Sequence, residues 1–243
     1  RLAPAAIFER GGEQIGVVGA TTPILREISS PGSVELEGPT ENDMQALAEV
    51  LQPTIDEILA QGVNKVILTT HLQQIALEQE LIGELSGVDI VIAGGSDTIL
   101  ADETDTLRPG DEAADSYPFI TENADGDTAA IVSTEGEYSY VGRLVAEFDA
   151  NGVLIPESID PEVSGIFATT DEVVAEVAGD NDLFAAGTKG AEVQTLVESV
   201  ETVVNEQDGN IFGQTEVFID GRREQVRTEE TNFGNLTADA NLA

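Results

Sequence analysis

The chain has 243 residues, 41% of them hydrophobic, enough for one large domain or one and a half with an ordinary core. Asp and Glu total 47 against 10 Lys and Arg, a formal net charge of -37, and the only lysines are Lys65 and Lys189. A surface this acidic repels nucleic acid and anionic membranes and excludes both as partners, while the absence of cysteine excludes disulfides, thiol catalysis, zinc–thiolate and iron–sulfur sites within the chain. Three origins of the acidity stay open: adaptation to salt, a calcium-rich extracellular setting, or a plain acidic exoprotein. No apolar run approaches the ~20 residues of a membrane span. No signal peptide is visible, but Arg1 is not a natural start, so an upstream segment is expected.

Residues 7–19 read as a β-hairpin around Gly11-Gly12, its second strand apolar enough to be buried. Thr21-Thr22-Pro23 ends it, and residues 29–40, with Ser, Pro and Gly, read as an exposed loop. Leu47, Val50, Leu51, Ile55, Ile58 and Leu59 have helical spacing and predict a helix over 42–61, capped by Asn42 or Thr40 and kinked or split at Pro53. A strand follows over Lys65–Thr70, with His71 just past its end. A helix over 73–85 leads to a buried strand over Val88–Ala93, closed by Gly94-Gly95-Ser96-Asp97.

That alternation predicts an α/β layered fold, with His71 and Ser96-Asp97 at the carboxyl ends of neighbouring strands, the edge where open α/β sheets bind ligands. Residues 101–117 read as an acidic loop. Short strands around Asp125-Gly126 and Asn151-Gly152 fill 118–155. Residues 156–187 are mixed and partly extended. A helix over 190–206, a strand over Gln214–Ile219, a turn at Asp220-Gly221 and a helix over 231–242 complete the chain. Asn123-Ala-Asp-Gly-Asp127 echoes a calcium loop but lacks the spacing and closing Glu of an EF-hand, so a hairpin turn is expected there.

His71 is the only histidine, and a lone histidine in a strand-end loop is more often structural than catalytic. Its surroundings shift that balance. Val66-Ile-Leu-Thr-Thr-His71-Leu resembles the metallophosphoesterase segment that runs from an apolar strand into T-H-L/M-G, where the histidine ligates metal. Gly87-Val-Asp-Ile-Val-Ile-Ala-Gly-Gly95-Ser-Asp97-Thr resembles that superfamily's G-V-D-V-I-I-G-G-H-S-H-T. Ile7–Pro23 resembles the hairpin ending in V-G-x-T-T-P, and Glu137–Leu144 resembles G-x-Y-x-x-V-G-R-L. Arg227–Ala240 resembles R-x-x-E-x-N-L/M-G-N-L-I-A-D-A, the opening of the substrate-binding domain of the 5'-nucleotidase family. The variant around Ala93-Gly-Gly-Ser and His71-Leu-Gln-Gln looks most like large exported bacterial phosphatases, including atypical alkaline phosphatases.

The resemblance implies the C-terminal half of a four-layer α/β/β/α metallophosphoesterase domain over 1–165. A linker with a helix over 166–210 and the start of a 5'-nucleotidase C-terminal domain over 211–243 would follow. It implies a phosphomonoester hydrolase, of the 5'-nucleotidase or alkaline-phosphatase kind. Two divalent ions (Zn, Mn, Ca, Fe or Mg) would supply a metal-bound hydroxide that attacks phosphorus. The small-molecule partner would be a phosphomonoester or nucleotide, and the location exported, periplasmic or at the cell surface. His71 and Asp97 are the implied metal ligands. Arg227 and Asn232 are the implied substrate contacts, with a surface arginine and a helix-start residue as the alternatives.

Gly95 stands where the family has a histidine, and the D-x-H, G-D and G-N-H-D/E motifs are absent. Their absence fits a missing upstream half and a fragment that is inactive alone. The other possibility is a catalytically degenerate relative that keeps the fold as an extracellular structural or binding protein.

Overall fold

A computed structural model describes residues 3–208 and 213–242. Both the start at Arg1 and the boundary expected at 210–211 lie outside the described residues. The chain divides into two compact units, residues 1–179 and 180–243.

The first unit is built on a six-stranded sheet in the order β1-β2-β3-β4-β6-β5. β1 (Ala5–Arg10) and β2 (Glu13–Thr21) form the expected hairpin. A short α1 (Leu25–Ile28) follows, then α2 (Met44–Leu59), β3 (Val66–His71), α3 (Ile75–Glu84) and β4 (Ile90–Ile92). β2, β3, β4 and β6 (Thr128–Val132) are parallel, and β5 (Phe119–Glu122) closes the edge antiparallel to β6.

α2 forms because Met44, Leu47, Ala48, Leu51, Ile55 and Ile58 recur on one face and are all buried. Asp43, rather than Asn42 or Thr40, caps it, accepting from the Ala46 amide at 2.9 Å. Pro53 lies inside one continuous helix and does not split it. Six buried side chains spread over both halves outweigh the one backbone bond that proline removes.

α2 and α3 cover one face of the sheet, burying Val18, Val66, Leu68, Val91, Ala129 and Ile131. Strand alternation puts Ile15, Val17, Ile67, Ile90, Ile92 and Val132 on the other face. Within the first unit no described helix covers that face: Ile92 is 46% exposed, and a hollow over Ile67, Ile90, Ile92 and Val132 is walled by Tyr117, Gly142 and Leu144. One helix layer and one sheet are thus two of the four layers of the expected architecture.

Between β4 and β5 the chain makes an irregular excursion, as expected, pinned by a Leu100–Asp115 bridge. Asn123 builds the hairpin turn between β5 and β6. Its Oδ1 accepts from the Asp125 and Asp127 amides, and its Nδ2 donates to the Val88 carbonyl. The segment is therefore the expected hairpin turn. The short strands expected up to residue 155 include β7 (Tyr140–Arg143) and β8 (Glu147–Phe148), the latter paired with β9 (Leu154–Ile155). β10 (Gly165–Ala168) pairs with β7, and Ile99, Leu100, Tyr117, Tyr140 and Ile166 form a second buried cluster. α4 (Asp171–Ala178) ends the unit, its N-terminus capped by Thr170.

The second unit holds α5 (Lys189–Asp208), α6 (Arg223–Thr228) and α7 (Asn232–Leu242). The strand expected over Gln214–Ile219 does not form. Local side-chain bonds take its backbone groups instead: Val217 N–H donates to Thr215 Oγ1, and the Phe218 carbonyl accepts from Asn232 Nδ2.

Candidate functional site

The parallel strands bring their carboxyl ends to one rim. His71 is the last residue of β3, one position later than the sequence pattern suggested, and pairs in register with Thr21 of β2. Alternation along Val66–His71 buries Val66, Leu68 and Thr70 under the helices and turns His71 to the opposite side, where it is exposed. The neighbouring strand β4 runs directly into Gly94–Asp97, so Asp97 stands on the same rim, also exposed, at φ +51°.

The backbone carrying His71 is fixed on three sides. Its carbonyl accepts from the Thr22 amide at 2.9 Å. Behind it, the fully buried Glu78 of α3 takes the Thr70 hydroxyl at 3.0 Å and the Leu72 amide at 3.2 Å on one oxygen, Oε1. Thr70 Oγ1 also reaches the Ile92 carbonyl at 3.3 Å, tying β3 to β4 just below the rim. Burial pushes the Glu78 carboxyl above its usual range, against the pull of those hydrogen bonds and of His71.

Glu78 was not a candidate from sequence, yet a signal was present. It shares the inward helical register of Leu81, Ile82 and Leu85, where a carboxyl belongs only if hydrogen-bonded. Glu78→Gln, which keeps an accepting oxygen, is expected to fold with little loss. Glu78→Ala orphans the Leu72 amide and leaves the Thr70 hydroxyl only the Ile92 carbonyl, and should cost about 1–3 kcal/mol in urea unfolding. Equal midpoints for the two variants would refute this role.

The 94–97 loop packs closely against His71. A Cβ on Gly94 would stand 2.7 Å from the Thr70 carbonyl oxygen. A Cβ on Gly95, whose φ is +81°, would stand 2.7 Å from each of three atoms: His71 Cδ2, His71 Nε2 and Gln73 Nε2. A Cβ on Gly136 would stand 2.7 Å from Asp97 Oδ1, so the loop after β6 walls the other side of that carboxylate. Among the described residues no three His, Asp or Glu side chains converge as a metal cluster. His71 and Asp97 stand on that rim without a third such side chain among the described residues.

Arg227 and Asn232 belong to the second unit. Arg227 is exposed in the last turn of α6. Asn232 uses its carboxamide structurally, accepting from Asp220 N at 2.8 Å and donating to the Phe218 carbonyl at 2.7 Å. Thr231 Oγ1, rather than Asn232, accepts from the Gly234 amide at the start of α7.

The parallel sheet backed by helices, with a histidine and a glycine-rich loop on adjacent strand ends, is a mixed α/β architecture. Over 97% of its length it superposes on the crystal structure of a 5'-nucleotidase precursor from Thermus thermophilus. The TM-score is 0.68 at 28% identity, over 41% of that chain. The NAD nucleotidase of Haemophilus influenzae shares the fold at TM-score 0.60 and 19% identity, over 86% of this chain and 39% of its own. In sequence the chain is 28% identical over 237 residues to the 5'-nucleotidases of Diplobatis ommata and Mus musculus, which is 98% of this chain and 36% of each of theirs. No protein-family profile matches. The chain is a homologue of the 5'-nucleotidases and carries part of their metallophosphoesterase fold. It spans about a third of the length of the curated relatives it matches.

Proposed function

We propose that the protein containing this chain is an exported, metal-dependent phosphomonoester hydrolase acting on nucleotides or related small phosphomonoesters. The carrying observation is the placement of His71, the only imidazole, on the sheet rim beside the 94–97 loop, in a chain homologous along nearly all its length to 5'-nucleotidases. Divalent ions of that chemistry supply Lewis acidity and an acidified water. On this proposal His71 and Asp97 give two of the donors, the remainder coming from outside the described residues. Thr22, Thr70 and Glu78 hold the His71 backbone at a fixed height. Arg227 offers a planar guanidinium suited to a phosphoryl group, and Asn232 orders the neighbouring 218–220 segment.

A degenerate, non-catalytic relative is the second reading, favoured by the incomplete donor set and by Gly95. The separating test is hydrolysis of AMP and of a generic aryl phosphate by the intact polypeptide, stripped with chelator and reloaded with Zn, Mn, Mg, Ca or Fe. Metal-restored turnover that falls at least about a hundredfold in His71→Ala is expected. Absence of turnover with all five ions would leave only the binding role.

A further inference from the structure

Two neighbouring positions at the rim carry unusual backbones and opposite side chains. Gln73 has φ +76°, a left-handed conformation that disfavours any residue with a Cβ, and Gly95 has φ +81°. The direction where a residue-95 side chain would begin is taken: Gln73 Nε2 and His71 Nε2 lie at the same 2.7 Å from that point. The two nitrogens are therefore no farther apart than twice that distance. Two ligands of one ion with bonds of about 2.1 Å stand up to ~4 Å apart, within that bound. The Gln73 side chain is half-buried, and among the described residues no protein group hydrogen-bonds its carboxamide. A half-turn of that group puts Oε1 where Nε2 stands. A strained non-glycine residue aiming an unengaged amide at an exposed imidazole is the kind of outlier kept for a site.

We infer that Gln73 is a ligand-binding residue. Its carboxamide oxygen and His71 Nε2 form a donor pair for one divalent cation, standing beside the Cβ position that Gly95 lacks. This rests on His71 serving as a metal ligand, the role proposed above. An amide oxygen beside an imidazole suits zinc, manganese or iron better than a purely oxygen-ligated calcium site. It also explains how a rim without a side chain at 95 keeps two donors together.

The test is calorimetric titration of the intact, chelator-stripped polypeptide with Zn²⁺ and with Mn²⁺, a readout independent of turnover. His71→Ala should remove one site. Gln73→Ala and the isosteric Gln73→Leu should each weaken that same site by about tenfold or more, while Gln73→Glu, which keeps the oxygen, should retain it. Should Gln73→Leu bind as the parent does while His71→Ala loses the site, the carboxamide merely fills space. The inference then fails and the role of His71 stands. If His71→Ala also binds both ions unchanged, both fall together.

Discussion

Asp89→Asn is expected to remove a loss of stability that the parent suffers as pH rises from about 4 to about 7. Asp89 lies immediately before β4 and is only 7% exposed. Its Oδ2 accepts from the Val66 amide at 2.7 Å. Burial, the dominant cause, raises its pKa from 3.8 to about 7, with Asp127 adding to the rise and the Val66 bond and Lys65 opposing it. The folded-state value lies above the unfolded one, so the folded chain holds the proton longer. The benefit is fully present below the unfolded pKa and is lost as pH climbs through the folded pKa. About three units correspond to about 4 kcal/mol over the whole window. Asn keeps an oxygen for Val66 and carries no charge. Urea unfolding of both proteins at pH 5 and pH 8 cancels the other carboxylates. The parent should lose about 2–3 kcal/mol more than the variant across that interval. Parallel profiles would show that Asp89 is ionised throughout.

Gly152→Ala is the second large expectation. The β8–β9 hairpin turns at Asn151-Gly152, and Asp149 organises the turn by accepting from the Asn151 and Val153 amides. Gly152 has φ +96°, and a Cβ there would overlap the Asn64 carbonyl oxygen at the entrance to β3. Backbone strain of about 1–2 kcal/mol adds to about 1–3 kcal/mol for pushing two main chains apart. Gly126 is the control: its φ is +79°, but an added Cβ meets nothing within 4 Å. Gly126→Ala should thus show the strain alone, and Gly152→Ala should unfold at clearly lower urea. Matching losses would mean that the hairpin moves off Asn64 at no cost.

The parallel core was legible because its strands are buried, or nearly so, and read as continuous apolar runs, Val66-Ile-Leu and Ile90-Val-Ile, preceded by a helix of clear period, α2. Two differences trace to strand pairing, which local sequence does not carry. The strand over Gln214–Ile219 had the right composition but no neighbour, and isolated extended chain satisfies its backbone with Thr215 and Asn232 side chains. β10 was hidden inside a stretch read as mixed because its partner is β7, a pairing that no local period reports. At the rim, the motif pointed to His71 and Asp97, and strand order placed them on adjacent ends. The supports were less visible. Glu78 works from the interior of α3, and the Gln73–Gly95 relation depends on two positive φ angles that no residue pattern displays.

β4 contributes only three paired residues, Ile90–Ile92, yet it alone joins β3 to β6. It is the narrowest seam in the sheet, and His71 and Asp97 are carried on either side of the β3–β4 join. Whatever is held by both acts as a rivet across that seam. Binding and mechanical cohesion are then linked, and the free energy needed to part the sheet rises with the concentration of whatever occupies the rim.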